Sequence, residues 1–265
     1  MPAIENGPVR IHYSVSGYED GELLVLSNSL GSSHRMWDKV MTAIEAQYRV
    51  LRYDTRGHGG SSIPPGPYTI DELGGDLLRL LNEIRAERVS FCGLSLGGLT
   101  GMWLGLNAPQ RLNRLVLANT AARIGTPQMW EDRVAFVRQS GMEQLSAATP
   151  GRWFTPQYRE THADEMEQIR RMIASINPDG YAACCAVLRG TDLRAQISSI
   201  SVPTLVITGT HDPATPPSDG RAIADAVPDA QYIELDASHM SAWEQSAQFA
   251  DAVLQFLAQG VGHNG

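Results

Sequence analysis

The run Phe91-Cys92-Gly93-Leu94-Ser95-Leu96-Gly97-Gly98 sets a serine between small residues in the spacing Gly-x-Ser-x-Gly, with apolar stretches on both sides. A strand ending just before the serine and a helix starting just after would hold Ser95 on a tight turn. Its hydroxyl would project at a helix N-terminus, where main-chain amides favour developing negative charge. That is an arrangement for nucleophilic attack on an acyl group. The spacing also occurs by chance in small-residue turns, so its weight rests on partners. A serine hydroxyl is a poor nucleophile near neutral pH and needs a base. Of seven histidines, His12 falls in a predicted strand, His263 in the tail and His162 in a polar stretch. His34 and His58 fall in early loops, with His58 reading as structural inside Asp54-Thr-Arg-Gly-His-Gly59. His211 directly precedes Asp212, whereas His239 follows the last predicted strand and precedes the last helix, which makes it the expected base.

The base needs an acid that fixes its tautomer and stabilises its cation. Asp212 follows a predicted strand in Gly209-Thr-His-Asp212-Pro213. Asp236 lies only three residues before His239 and reads as the start of that loop, and Asn119, after the preceding strand, is not a carboxylate. Ser95, Asp212 and His239 then follow the chain order of serine hydrolases built on a strand–turn–helix nucleophile. The loop Ser27-Asn28-Ser29-Leu30-Gly31-Ser32 would add a second oxyanion donor, so the backbone N–H groups of Leu30 and Leu96 are the expected hole. Taken alone, that loop reads as an ordinary glycine turn.

These residues need elements to hold them. Short apolar or alternating runs predict strands over 9–16, 23–26, 48–53, 89–94, 112–118, 205–208 and 232–235. Helical spacing lies between them, at Leu73, Leu77, Leu80, Leu81 and Ile84, over 99–106, and at Phe249, Val253, Phe256 and Leu257. Strands alternating with helices predict an α/β fold with a mostly parallel sheet covered on both faces. The alternation stops over 123–193, where Trp130, Phe136, Trp153, Met166, Met172 and Tyr181 have helical spacing and no strand is convincing. The expectation is a core of 1–122 and 194–265 interrupted by a helical insertion, with a frayed tail over 260–265.

Composition bounds the function. The 265 residues carry a formal net charge of −8, with 21 Lys and Arg against 29 Asp and Glu. That balance argues against a nucleic-acid partner, and against an anionic membrane or substrate unless positive charge is gathered locally. Three cysteines, two of them adjacent, make no disulfide framework. No basic, apolar leader and no membrane-length run is legible, so a soluble cytoplasmic protein is expected. Acyl transfer by a triad requires no metal or organic cofactor, and no zinc-binding motif is legible.

The sequence resembles the α/β-hydrolase superfamily over essentially its whole length, and within it the 3-oxoadipate enol-lactonases. The resemblance is carried by Asn28-Ser-Leu-Gly31, Met36-Trp37-Asp38, Arg52-Tyr-Asp-Thr-Arg-Gly-His-Gly59, Gly93-Leu-Ser-Leu-Gly-Gly98 and Gly209-Thr-His-Asp-Pro-Ala-Thr-Pro216. Many relatives have His-Gly where this chain has Asn-Ser-Leu-Gly, which counts against a generic esterase. The resemblance implies an α/β-hydrolase fold with a helical cap at 123–193. It also implies a small-molecule lactone substrate bearing an acetate arm, opened to 3-oxoadipate in the breakdown of aromatic compounds. The acetate carboxylate would need a cationic or amide partner. Trp130 and Arg133, on one predicted helix face, are the candidate substrate contacts, with Arg138 and Arg152 as further candidate cations. The plainer reading of each is that Trp130 packs the cap and Arg133 is a solvated charge. Alternatives are an esterase or lactonase on another small acyl compound, a carbon–carbon bond hydrolase, and a non-catalytic small-molecule receptor.

Overall fold

The computed structural model describes residues 3–6 and 9–259. The tail over 260–265, including His263, lies outside the described residues. Eight strands form one sheet: β1 (Ala3–Asn6), β2 (Val9–Gly17), β3 (Leu23–Ser27), β4 (Arg49–Tyr53), β5 (Val89–Leu94), β6 (Leu112–Ala118), β7 (Thr204–Gly209) and β8 (Gln231–Leu235). Their order in space is β1-β2-β4-β3-β5-β6-β7-β8. β2 pairs antiparallel with β1 and β4, and the remaining pairs are parallel. β5 is buried along its whole length, so both faces of the sheet are covered there. Sequence patterning missed β1, whose four residues are too few to show a period.

The helices are α1 (Asp38–Glu45), α2 (Ile70–Glu83), α3 (Leu96–Asn107), α4 (Pro127–Ala148), α5 (Pro150–Trp153), α6 (Pro156–Thr161), α7 (Ala163–Ala174), α8 (Pro178–Gly190), α9 (Pro217–Ala226), α10 (Ser241–Glu244) and α11 (Ser246–Ala258). α2 starts at a capping box, in which the Thr69 hydroxyl accepts the Glu72 N–H and the Glu72 carboxylate accepts the Thr69 N–H. It buries Leu73, Leu77, Leu80 and Leu81, the face the spacing predicts. α11 likewise buries Phe249, Val253, Phe256 and Leu257. The five helices α4–α8 all lie between β6 and β7, and α4 is broken at Gly141, with φ 76° and ψ 174°. The Leu193 N–H donates to the Ala122 carbonyl at 2.8 Å and closes the base of this excursion. No helix among the described residues is long and apolar enough to cross a membrane.

Parallel strands place their following loops at one end of the sheet, where α/β proteins build their sites. The loops after β3, β5, β7 and β8 carry Leu30, Ser95, Asp212 and His239 respectively.

Candidate active site

Ser95 sits between β5 and α3 with φ 59° and ψ −114°, a strained conformation for a residue with a Cβ. The surroundings fix it. Its N–H donates to the Ala118 carbonyl at 3.0 Å, and its own carbonyl accepts the Thr120 hydroxyl at 2.8 Å. Glycine is required on either side of this turn. A Cβ on Gly97 would lie 2.2 Å from the Ser27 carbonyl oxygen, and one on Gly93 would lie 2.2 Å from that of Gly97. The motif residues thus let the turn close against β3, and they leave Leu96 as the first residue of α3.

His239 is buried, and its Nδ1 donates to Asp212 Oδ2 at 2.8 Å. A carboxylate only accepts, so the proton sits on Nδ1 and Nε2 is left as the basic nitrogen. Asp212 Oδ1 accepts the N–H groups of Ala214 (2.8 Å) and Thr215 (3.1 Å), and Oδ2 accepts the Thr215 hydroxyl (2.8 Å). Burial pushes the Asp212 carboxyl up, but His239 and the Thr215 donors outweigh it and hold the group below its ordinary value. Asp236, the other acid considered, faces solvent and pairs with the exposed His211 at 2.8 Å.

Sequence reasoning passed over Asn119 because it is not a carboxylate. The structure puts it directly behind the acid. Its Nδ2 donates to Asp212 Oδ2 at 3.1 Å and to the Ser238 carbonyl at 3.2 Å, and its Oδ1 accepts the Ser241 hydroxyl at 2.5 Å. One amide side chain therefore ties the loop after β6 to the acid and to both flanks of His239. Its place at the end of β6 was the available signal.

The segments that carry the resemblance meet in space. Asn28 donates to the Tyr53 carbonyl at 2.7 Å and accepts the Trp37 indole N–H at 2.9 Å. The Ser32 hydroxyl donates to the Ser29 carbonyl at 2.7 Å. Asp54 is buried, and each of its oxygens accepts one main-chain N–H, from His34 (2.8 Å) or Gly60 (2.9 Å), and one imidazole, from His34 (3.0 Å) or His12 (2.9 Å). Burial pushes Asp54 up, but the His34 ring and the Gly60 and His34 main-chain N–H groups outweigh it and hold the carboxyl at about 2. His12, His34 and Asp54 are grouped closely enough to suggest a cation site. Because all four acceptor positions are already filled, the group reads as a pin for this loop.

Above Ser95 and His239 lies a chamber of about 90 Å³, also lined by Leu30, Gly31, Trp130, Arg133, Arg152 and Tyr181. Trp130 and Arg133 are thus both in the chamber. Trp130 is buried, with its indole N–H on the Ile124 carbonyl at 2.7 Å, and Arg133 is half-buried rather than a solvated charge. Arg152 is half-buried too, and both burial and the nearby Arg133 charge lower its pKa. Among the described residues neither arginine forms an ion pair with a carboxylate. Arg138 is placed differently: it is exposed and lines an outer cleft of about 830 Å³ that contains neither Ser95 nor His239. Only Trp130 lines both spaces, so the larger cleft lies outside the chemistry.

A serine at a strand–helix elbow, an imidazole held by a buried carboxylate and the mostly parallel sheet beneath them define the α/β-hydrolase class. The family described as alpha/beta hydrolase fold matches residues 22–246. The chain is 41% identical over 245 residues to 3-oxoadipate enol-lactonase 2 of Acinetobacter baylyi, covering 92% of each chain. It superposes on the crystal structure of the enol-lactonase from Burkholderia xenovorans LB400 with a TM-score of 0.95 at 43% identity, covering 97% of this chain and 99% of that one. It superposes on a thermophilic esterase from Thermogutta terrifontis with a TM-score of 0.90 at 26% identity, covering 97% and 98%. The chain belongs to the α/β-hydrolase family and, within it, to the 3-oxoadipate enol-lactonases.

Proposed function

We propose that the protein opens 3-oxoadipate enol-lactone to 3-oxoadipate, a step in the β-ketoadipate route of aromatic breakdown, through an acyl-enzyme. Ser95 Oγ attacks the lactone carbonyl carbon while His239 Nε2 takes its proton. The amides of Leu30 and Leu96 hold the oxyanion, each worth about 10²–10³ in rate. Collapse breaks the ring C–O bond, and the proton on His239 goes to the departing enolate oxygen. The enol then tautomerises to the ketone. Water, giving its proton to His239, attacks the acyl carbon and frees Ser95. Asp212 stays ionised throughout and stabilises the imidazolium. No step calls on a metal or organic cofactor.

One observation favours this substrate over a neutral ester: the chamber holds Arg133 and Arg152 without a carboxylate partner among the described residues. Two guanidinium groups in a half-buried site, Arg133 hydrogen-bonded to Tyr181 but neither in an ion pair among the described residues, repel each other and favour an anion between them. The substrate's acetate arm supplies one. Trp130 forms the outer wall of the same space. In this reading residues 123–193 act as a cap over a core of 1–122 and 194–265, and the protein works in the cytoplasm. At about 90 Å³ the chamber is below the roughly 300–1,000 Å³ usual for small-molecule sites, so binding requires the cap side chains to move.

Steady-state kinetics on freshly generated enol-lactone, against aryl acetates of similar size, tests the reading. The expected result is a kcat/KM for the lactone well above that for the esters. A preference of several orders of magnitude for the esters would overturn it.

A further inference from the structure

His58 sits in the run Arg52-Tyr-Asp-Thr-Arg-Gly-His-Gly59, a feature of the sequence that the triad leaves without a task. It is buried, and its Nε2 accepts the Gly31 main-chain N–H at 3.0 Å. Its other nitrogen, Nδ1, faces the Arg56 carbonyl at 3.3 Å, with the Cys184 thiol at 3.8 Å. A ring nitrogen that accepts from an amide cannot carry a proton, so the tautomer is fixed with hydrogen on Nδ1, donated to Arg56. Burial depresses the ring's pKa to about 4, although the Arg56 carbonyl and Asp54 act the other way, which keeps the ring neutral in the working range.

The histidine is itself rigidly mounted. Arg56 makes a two-pronged contact with the buried Asp76, at 2.6 and 2.8 Å, and a further bond to Glu72 at 2.6 Å. Asp54 is pinned by four donors, and Gly59 and Gly60 follow directly. Gly31, the receiver of this support, has φ +78° and lines the chamber beside Leu30. Without a bond to its N–H, the Leu30–Gly31 peptide could rotate, and the change at the Leu30 Cα would loosen the adjoining Ser29–Leu30 peptide that carries the Leu30 N–H.

We infer that His58 is a positioning residue for the oxyanion hole: by accepting the Gly31 N–H through Nε2 it fixes the Leu30–Gly31 peptide, and through the shared Leu30 Cα it steadies the preceding Ser29–Leu30 peptide, whose carbonyl the Ser32 hydroxyl holds and whose N–H is aimed at the developing oxyanion. This rests on the proposed assignment of Leu30 to the hole. It adds that the hole has a support outside the triad, one that contacts no substrate. It also gives the tautomer of a loop histidine a catalytic consequence, because a proton on Nε2 would turn the acceptor into a second donor facing an N–H.

The test compares His58→Leu, which removes the acceptor, with His58→Gln, whose side-chain oxygen can reach the Nε2 position. Rates are normalised to active sites titrated with a fluorophosphonate, so loss of folded protein does not enter. The expected result is a 10- to 100-fold fall in kcat for His58→Leu, with KM changed less than threefold and with binding of a trifluoromethyl ketone weakened in parallel. His58→Gln should recover kcat to within about fivefold of wild type. Unchanged kcat per titrated site in His58→Leu, or an equal loss in both variants, would overturn the inference. If His58→Leu does not fold, ring-nitrogen NMR on the wild type still decides. An unprotonated Nε2 and a protonated Nδ1 between pH 6 and 9 are expected, and the opposite tautomer would contradict the role. A wild type that turns over no ester or lactone would instead sink the hydrolase reading itself.

Discussion

The floor and the roof of the chamber are built on opposite terms. On the floor the groups that hold the acid and the loop are matched: Asp212 accepts from five donors, Asn119 spans three neighbours, and Gly31 is held by His58. On the roof, Arg133 and Arg152 face the same space, and among the described residues neither forms an ion pair with a carboxylate. A saturated network has one geometry and suits chemistry that needs fixed donors before the reaction begins. A pair of like charges without a carboxylate favours an anion, and the proposed substrate would supply one. The floor is therefore read as doing chemistry on any activated acyl group, and the roof as choosing which one.

Breaking the floor should give the largest effects. Ser95→Ala removes the proposed nucleophile and should lower kcat on the order of 10⁵–10⁶-fold while the protein stays folded, checked by single-turnover assay and thermal melting. Asp212→Asn keeps the shape of the acid but no longer selects the His239 tautomer, so a fall of about 10⁴ in kcat is expected. Both losses should be the same for lactone and ester if the floor is indifferent to the acyl group.

Stability should respond in the opposite sense at one floor position. Ser95 pays for its φ of 59°, and Ser95→Gly should raise unfolding stability by about 1 kcal/mol in urea titration while abolishing turnover. The loop pin gives a pH signature. Asp54 lies at about 2 in the folded protein against an ordinary 3.8, so the unfolded chain binds its proton first as pH falls. The stabilisation is complete above about pH 4 and is lost as pH falls from there through about 2, a loss of roughly 2 kcal/mol. Asp54→Asn should flatten that part of the acid unfolding curve.

The contrast also explains what could be read from the chain. That Ser95, Asp212 and His239 each follow a strand was legible, because strands announce themselves by apolar runs. The parallel sheet with a helical excursion followed from the same alternation. β1 was hidden by its length. Asn119 was hidden because its role depends on two loops 93 residues apart meeting at one carboxylate, which no local spacing encodes, whereas Thr215 lies only three residues after Asp212, within reach of local spacing. Of the cap arginines, Arg133 was picked out by helical spacing, but Arg138 lies on the outer cleft instead, because the turn of α4 that carries it faces away from Ser95. The global charge of −8 suggested poor attraction for anions, yet a net charge says nothing of where positive groups gather, and Arg133 and Arg152 line one chamber.

The most direct test of the division between floor and roof is kcat/KM for the anionic enol-lactone and for a matched lactone lacking the carboxylate, in the wild type and in an Arg133→Ala/Arg152→Ala double variant. The expected result is a strong wild-type preference for the anionic lactone that falls by at least 100-fold in the double variant, with turnover of the uncharged lactone changed less than about threefold. A preference that survives removal of both arginines, or an equal loss on both substrates, would contradict it.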